Sequence, residues 1–324
     1  MGEDLVESRL IPINAMISLA TPDGINPAVL ADQGYRVAGL EVPVGKPRRS
    51  VVVDVVLANG DTGHVLAIES KCGGNIENEQ CARYAELDPV DVVRNAYIDL
   101  HQRVPPTLDV IYACLGQHVD RIRLGLDAAQ VTFPILAVHD DKILLEGSAI
   151  QEPLRSIFRT PVRLVASPSR HVPFDAESSV EIIEPYVQTA LVAALAQSLT
   201  EISLAALTEQ SIRHFALFGR TAQTALKRKV GEAARRIAER DASTFEYHGP
   251  PPNRDGWVTL LRTPEANDPR GRTQGYQALV RPGQSRRSRR RSVIIEGQMN
   301  LLEELDKADE GTRSSREEQA EETP

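Results

Sequence analysis

Two carboxylates and a lysine interrupt otherwise aliphatic runs. Asp54 sits in Val51-Val52-Val53-Asp54-Val55-Val56-Leu57, and Glu69 and Lys71 in Val65-Leu66-Ala67-Ile68-Glu69-Ser70-Lys71. Between them lies Asn59-Gly60-Asp61-Thr62-Gly63, turn chemistry of the kind that joins antiparallel strands. Side chains alternate faces along a strand, so Glu69 and Lys71 share a face and Ser70 points to the other. Counting from the turn, Asp54 falls across from Glu69 and the two carboxylates converge. Charges on such strands are costly to bury without compensation, and a divalent cation with its water supplies it. Mg²⁺ takes one or two carboxylates together with water and substrate phosphate. Asp54, Glu69 and the Ser70 carbonyl form such a ligand set, and Mn²⁺ suits the same set. A cation held there polarises a phosphate and lowers the pKa of a bound water. Lys71 would orient that water, assist its deprotonation or stabilise the transition state. The implied chemistry is phosphodiester hydrolysis. The competing reading is an ordinary cross-strand ion pair between Asp54 and Lys71. It leaves Glu69 unexplained on the same face.

The elements that must carry these residues follow from pattern. A helix is predicted over residues 26–33, with Pro27 in its first turn and Gly34 as its stop. Residues 1–25 give no clear signal. Strands follow at Tyr35–Val44, 50–57 and His64–Lys71. Gly73-Gly74 breaks the third, a helix spans 77–87, and strand 108–116, helix 119–129 and strand 133–138 complete the region. The order α-β-β-β-α-β-α-β predicts an α/β protein whose mixed sheet is flanked by helices.

At this point the chain resembles the PD-(D/E)XK, or restriction-endonuclease-like, nuclease superfamily. Gly34-Tyr35-Arg36-Val37, then Glu41, then Arg48-Arg49 leading to Asp54, look like the opening of that domain. Ile68-Glu69-Ser70-Lys71 resembles its ExK strand, and Gln80-x-x-x-Tyr84 its glutamine-bearing helix. The resemblance covers about residues 23–147. It implies an αβββαβ core, Mg²⁺ dependence and nucleic-acid cleavage. Asp54, Glu69, Lys71 and Gln80 would then be catalytic and Tyr84 would lie near the nucleic acid. Many members carry a further acidic residue on the first helix. Here residues 26–33 offer only Asp32 near the end, with Asp23 and Glu41 as nearby substitutes. Gln80 and Tyr84 equally suit the rim of an amphipathic helix. His64 and His139, at strand ends, read as surface turn residues, and Cys72 as a small buried one.

A segment near 167–173, with its Pro and Ser residues, marks a boundary. The expected organisation is a nuclease domain over 1–166, a mainly helical, winged-helix-like DNA-binding domain over 174–264, and a basic then acidic tail over 265–324. In the second domain helices are expected over 179–199, within 200–219 and over 220–241, followed by a hairpin of 245–247 with 257–261. The last helix sets Leu226, Val230, Ala233 and Ile237 on one face. Its other face carries Lys227, Arg228, Lys229, Arg235, Arg236 and Arg240, either a solvated face or a duplex-binding one. Lys227, Arg228 and Arg235 are the expected phosphate contacts.

The net charge of -8 does not argue against that partner. Residues 302–324 hold nine Asp/Glu and three Lys/Arg, so most of the excess lies in the tail. The arginine run at 286–291 reads as a phosphate-contacting arm or a solubilising one. Cys72, Cys81 and Cys114 are in no CxxC pair, which favours reduced thiols over a zinc site or disulfides. The acidic N-terminus lacks signal-peptide character, and no stretch is long and apolar enough to span a bilayer. A cytoplasmic protein with no membrane partner is expected. The leading expectation is a DNA endonuclease, with a homodimer or partner subunit needed to cut both strands. The alternatives are a nuclease-fold DNA-binding or assembly protein without catalysis, or a nuclease for RNA or branched DNA.

Overall fold

In the computed structural model, Asn59 begins the turn on which the whole sheet is registered. Its Oδ1 accepts from the N–H groups of Asp61 and Thr62, and Gly63 N–H returns to the Asn59 carbonyl. Gly63 holds φ +71°, a left-handed conformation that glycine adopts without strain. From this turn β2 (Val51–Asn59) and β3 (His64–Lys71) pair antiparallel, Asn59 with His64 through Val55 with Ile68. The structure describes residues 2–261 except 23–24, 46–48, 74, 101–103, 148–151, 153, 169–170 and 252–254. The described residues belong to one compact unit, and residues 262–324, with the arginine run and the acidic tail, lie outside them.

The main sheet has seven strands in chain order. β1 (Tyr35–Val44), β2 and β3 form an antiparallel meander. β4 (Thr107–Leu115) and β5 (Ile135–Val138) continue it in parallel, and β6 (Lys142–Glu146) and β7 (Val162–Arg163) close it antiparallel. The α/β class and mixed sheet expected from the sequence are therefore present. β3 is buried on both faces, as a central strand between helical layers must be. One layer is α1 (Gly2–Ala20), which crosses β1 to β5. α2 (Val29–Asp32) follows it. The other layer is α3 (Asn78–Ala85), α4 (Pro89–Asn95) and α5 (Val119–Ala128). Cys81, Tyr84, Val92, Ile122 and Leu126 of that layer share a core with Val56, Val65, Ala67, Tyr112 and Ala137 of the sheet.

α1 is hard to read from the amino-acid pattern because its stretch from Leu10 to Ala20 exposes no polar face. Leu10 and Pro12 through Ala20 are all buried, so the amphipathic period that betrays a surface helix is missing. Of its buried polar residues Asn14 and Ser18, Asn14 pairs with the backbone of Val172, giving Nδ2–H to the carbonyl and taking the N–H on Oδ1. Val172, in the stretch expected as a boundary, is thus tied to the first helix.

His64 corrects a second expectation. It is only 3% exposed, not a surface turn residue. Tyr35 Oη lies 2.6 Å from its Nδ1, and Nε2 is 3.2 Å from Asp109 Oδ2, within ion-pair reach though off the line of a hydrogen bond. Asp109 favours the Nε2–H tautomer, leaving Nδ1 to accept from Tyr35. Tyr35→Phe would strand Nδ1 and is expected to cost about 1–3 kcal/mol, read as a lower denaturation midpoint. Because His64 and Lys71 occupy opposite ends of β3, about 20 Å apart, the same variant should leave the surroundings of Lys71 unchanged.

The remaining described elements run α6 (Leu154–Ile157), then β7, then α7 (Val180–Ala196), β8 (Glu201–Ser203), α8 (Leu204–Ser211), α9 (Arg220–Arg240), β9 (Phe245–His248) and β10 (Trp257–Leu260). The short β8 was not anticipated. It makes a three-stranded sheet in the order β8-β10-β9. Phe218 bridges to Leu40 and Gly219 N–H bonds the Leu40 carbonyl, so α9 starts against β1. A Cβ at Gly219 would lie 2.5 Å from the Glu41 carbonyl, so only glycine permits that approach.

Candidate active site at the fork of strands β2 and β3

The β2–β3 ladder stops at Val55 and Ile68, while β2 runs on to Val51 beside β1 and β3 runs on to Lys71 beside β4. The two strands fork at Asp54 and Glu69. The core-facing set of β2 runs 51, 53, then 56, 58, so its alternation changes phase at the fork. Opposite on β1, Glu41 lies between the pairs Leu40–Val55 and Val42–Val53 and holds φ 46°, a left-handed conformation a side chain adopts at a cost. The ladder's loss is met by a side chain: Ser70 N–H donates to Asp54 Oδ2 at 2.7 Å.

Glu69 is 6% exposed and is held on three sides. Lys71 Nζ lies 2.8 Å from Oε1, Gln80 Nε2 donates to the same oxygen at 2.8 Å, and the Tyr84 hydroxyl donates to Oε2 at 2.5 Å. Gln80 Oε1 accepts from Lys71 Nζ at 2.6 Å, and Lys71 also sits 5.8 Å from the centre of the Tyr112 ring. A buried carboxylate needs such partners, since its desolvation costs several kcal/mol. Gln80 and Tyr84, one helical turn apart on α3, are therefore brought to the site. Tyr84 is 1% exposed, so the residue expected to contact nucleic acid lies beneath Glu69. Burial of its hydroxyl, with Glu69 beside it, pushes its pKa up.

Asp54 is 7% exposed and less well served. Among the described residues its Oδ1 takes no hydrogen bond. Burial and the neighbouring Glu69 push its pKa up to about 8, with Arg9 and the Ser70 N–H pulling the other way. Ser70 itself points to the opposite face from Glu69, as its place in the strand predicts, and its Oγ donates to the Arg9 carbonyl at 2.7 Å.

Arg9 is the member that sequence reading missed. It sits on α1 beside Asp54, with Asp175 Oδ2 at 2.7 Å, Glu177 at 3.6 Å and Glu41 at 3.7 Å. Burial works against its charge, and the four carboxylates more than offset that. The only signal in the sequence is a lone cation at the head of the apolar run that becomes α1. Glu41, weighed earlier as a substitute acid, does lie in this group, and burial pushes its pKa up to about 7. Among the described residues Asp32 and the short α2 give the site no hydrogen bond or ion pair, and Asp23 lies outside them.

Five carboxylates (Glu41, Asp54, Glu69, Asp175, Glu177) thus face two cations, Arg9 and Lys71. With an Oδ1 on Asp54 that takes no hydrogen bond among the described residues, Asp54, Glu69 and the Ser70 carbonyl could hold a hard divalent cation. Among the described residues no group of three or more His, Cys, Asp or Glu is arranged to hold an ion unaided. Water or substrate would have to complete the coordination. A cleft between the β1–β2 hairpin and α3–α4 carries, among the described residues, Arg49 and Arg83 but also Glu86, Asp88 and Asp91.

The expected phosphate contacts on α9 divide in two. Arg228 and Arg235 are exposed, Arg235 with Glu239 as an i,i+4 partner. Lys227 is tied to Asp255 at 2.6 Å. Arg236 and Arg240 reach Glu181 and Glu184 of α7, and Lys229 donates to the Ser178 carbonyl. Much of the basic face is therefore engaged in fastening α9 to α7.

A family model described as the MJECL32 domain matches residues 9–116. The match spans the elements that bring Arg9, Asp54, Glu69, Ser70, Lys71, Gln80 and Tyr84 together. No curated protein and no solved structure matches the chain. Among the described residues no helix is long and apolar enough to cross a membrane.

Proposed function

We propose that this chain is a divalent-cation-dependent nuclease of the PD-(D/E)XK type that hydrolyses phosphodiester bonds in duplex DNA. The observation that carries the reading is the fork: Asp54 and Glu69 meet where two strands part, and Lys71, Gln80 and Tyr84 are tied to the same carboxylate. The order β1-β2-β3 antiparallel with β4 parallel, flanked by α1 and α3, suits the αβββαβ core of that superfamily. Asp54, Glu69 and the Ser70 carbonyl would hold Mg²⁺ or Mn²⁺, which when bound acidifies water and polarises phosphate. Lys71 would move from Glu69 to orient the attacking water and steady charge on the phosphate. Gln80 positions Lys71 through its amide oxygen, and Tyr84 fixes the rotamer of Glu69.

The order α7-β8-α8-α9-β9-β10, with β8 pairing to β10, supports a winged-helix module with α9 as the helix offered to DNA. Arg228→Ala and Arg235→Ala are each expected to reduce the slope of log affinity against log salt by about 0.9. Lys227→Ala should change it less, because that ammonium is already spent on Asp255. Equal slopes for all three variants and the unaltered protein would make α9 a solvated face.

One observation favours a second reading, a DNA-binding protein without hydrolysis: both Glu69 oxygens already have partners, Lys71 and Gln80 on one and Tyr84 on the other. A single assay separates the two. Supercoiled, linear duplex and single-stranded DNA, and RNA, are incubated with the protein with and without Mg²⁺. Cation-dependent breakage of a DNA substrate supports the nuclease, cleavage of RNA alone redirects the substrate, and retention without breakage supports the binding protein.

A further inference from the structure

Arg9 is close enough to Asp54 to favour its charge, yet no Arg9 nitrogen lies within ion-pair distance of it. Its N–H groups are held elsewhere, chiefly by Asp175. That carboxylate is 1% exposed and fully engaged: Oδ1 accepts from Glu177 N–H, Ser178 N–H and Ser178 Oγ, and Oδ2 from Arg9. The turn it organises leads into α7, and Ser178 in turn accepts from Lys229 of α9. Meanwhile the Arg9 carbonyl grips Ser70 between Glu69 and Lys71. A rigid polar chain therefore runs from α9 through the start of α7 and α1 to the fork.

Resting on the nuclease reading, we infer that Asp175 and Arg9 are positioning residues: Asp175 holds the Arg9 guanidinium off Asp54, so that Asp54 stays open to a divalent cation. The physical reason is competition. A guanidinium and a divalent ion seek the same carboxylate, and an unrestrained Arg9 would close a bidentate pair with Asp54. With Asp175 as its partner, Arg9 lends Asp54 a favourable charge from a distance without occupying its oxygens. Glu41 and Glu177 add to the restraint but lie farther from Arg9, so Asp175 carries most of it.

The test reads cation binding alone. Mn²⁺ is titrated into the full chain at neutral pH without nucleic acid, with electron paramagnetic resonance counting the free ion. The unaltered protein should bind and Asp54→Ala should not. Asp175→Asn keeps the shape and the Oδ1 acceptor of the turn but presents an amide N–H to Arg9. Its Mn²⁺ affinity is expected to fall by roughly 10–100-fold, the range for loss of a group that orients a ligand. Combining Arg9→Met with Asp175→Asn removes both the competing cation and its restraint, and should recover most of the lost affinity. A purely structural role predicts the reverse, a double variant at least as weak as the single. If Asp175→Asn fails to fold, the double variant, in which neither the guanidinium nor the carboxylate that restrains it remains, carries the comparison. Asp175→Asn binding as tightly as unaltered protein, or a folded double variant as weak as Asp54→Ala, overturns the inference and leaves the site in place. No Mn²⁺ bound by unaltered protein removes the site reading and this one together.

Discussion

Lys71→Ala is expected to lower cation-dependent DNA cleavage by about 10²–10³-fold, the usual cost of deleting one group aimed at developing charge. The loss should fall on turnover, not on DNA affinity. Lys71 is tied to Glu69 and Gln80 at the fork, whereas the exposed cations of α9 lie on a different set of elements. Removing an ammonium that is only partly exposed also leaves Glu69 with Gln80 and Tyr84 as partners, so the fold should persist. Asp54→Ala should be at least as severe, because it deletes a proposed ligand and the acceptor of Ser70 N–H. Gln80→Ala should cost less, since Lys71 keeps its pair with Glu69. Cleavage kinetics at saturating DNA, with binding measured in parallel, check the ranking. Undiminished turnover in both Lys71→Ala and Asp54→Ala would refute the assignment of the site.

How much of this could be read in advance depends on where the information resides. Tyr35–Val44 and His64–Lys71 emerge at the bounds expected, because aliphatic runs bracketed by Asn-Gly turn chemistry leave little else to form. Asp54, Glu69 and Lys71 were legible as charges placed where valine belongs. Gln80 and Tyr84 were legible through helical spacing and resemblance, but not the division of labour in which Tyr84 lies buried beneath Glu69. The phase change of β2 at Asp54 was invisible, since it breaks the strand period and lies opposite the left-handed Glu41 of the neighbouring strand. So was Arg9: its partner Asp175 is far away in the chain, and its helix shows no periodicity because both its sides are buried. The basic face of α9 was legible as a pattern, yet the pattern could not say that Arg236 and Arg240 are spent on α7. Local period is written in the sequence, whereas the pairing of charges across elements is decided only by the fold.

Asp54→Asn is expected to make the cation-free protein more stable than the unaltered one, by a margin that grows with pH. In the unfolded chain an aspartate titrates at about 3.9. In the fold, burial and then the proximity of Glu69 push Asp54 up to about 8. Well below the unfolded value both states hold the proton and Asp54 contributes nothing to the pH dependence. Between about pH 4 and pH 8 the unfolded chain has released a proton that the native state retains, so stability falls as pH rises. Above that window both states are ionised and the penalty is complete; at about 1.4 kcal/mol per unit of pKa it reaches several kcal/mol. Asparagine cannot ionise, fills the same space and still accepts the Ser70 N–H, so it should escape this penalty. Adding Mg²⁺ should then narrow the gap from one side only. The cation binds the ionised Asp54 of the unaltered protein and stabilises the native state by mass action, while the variant, lacking that charge, gains little. Urea unfolding at pH 5, 7 and 8.5, with and without Mg²⁺, reads both effects. A stability difference that is flat with pH would mean that Asp54 is not strained by its burial. Equal stabilisation of both proteins by Mg²⁺ would place the cation elsewhere. The expected pattern, a residue that weakens the fold until its ion arrives, is what a site kept for chemistry at the expense of stability should give.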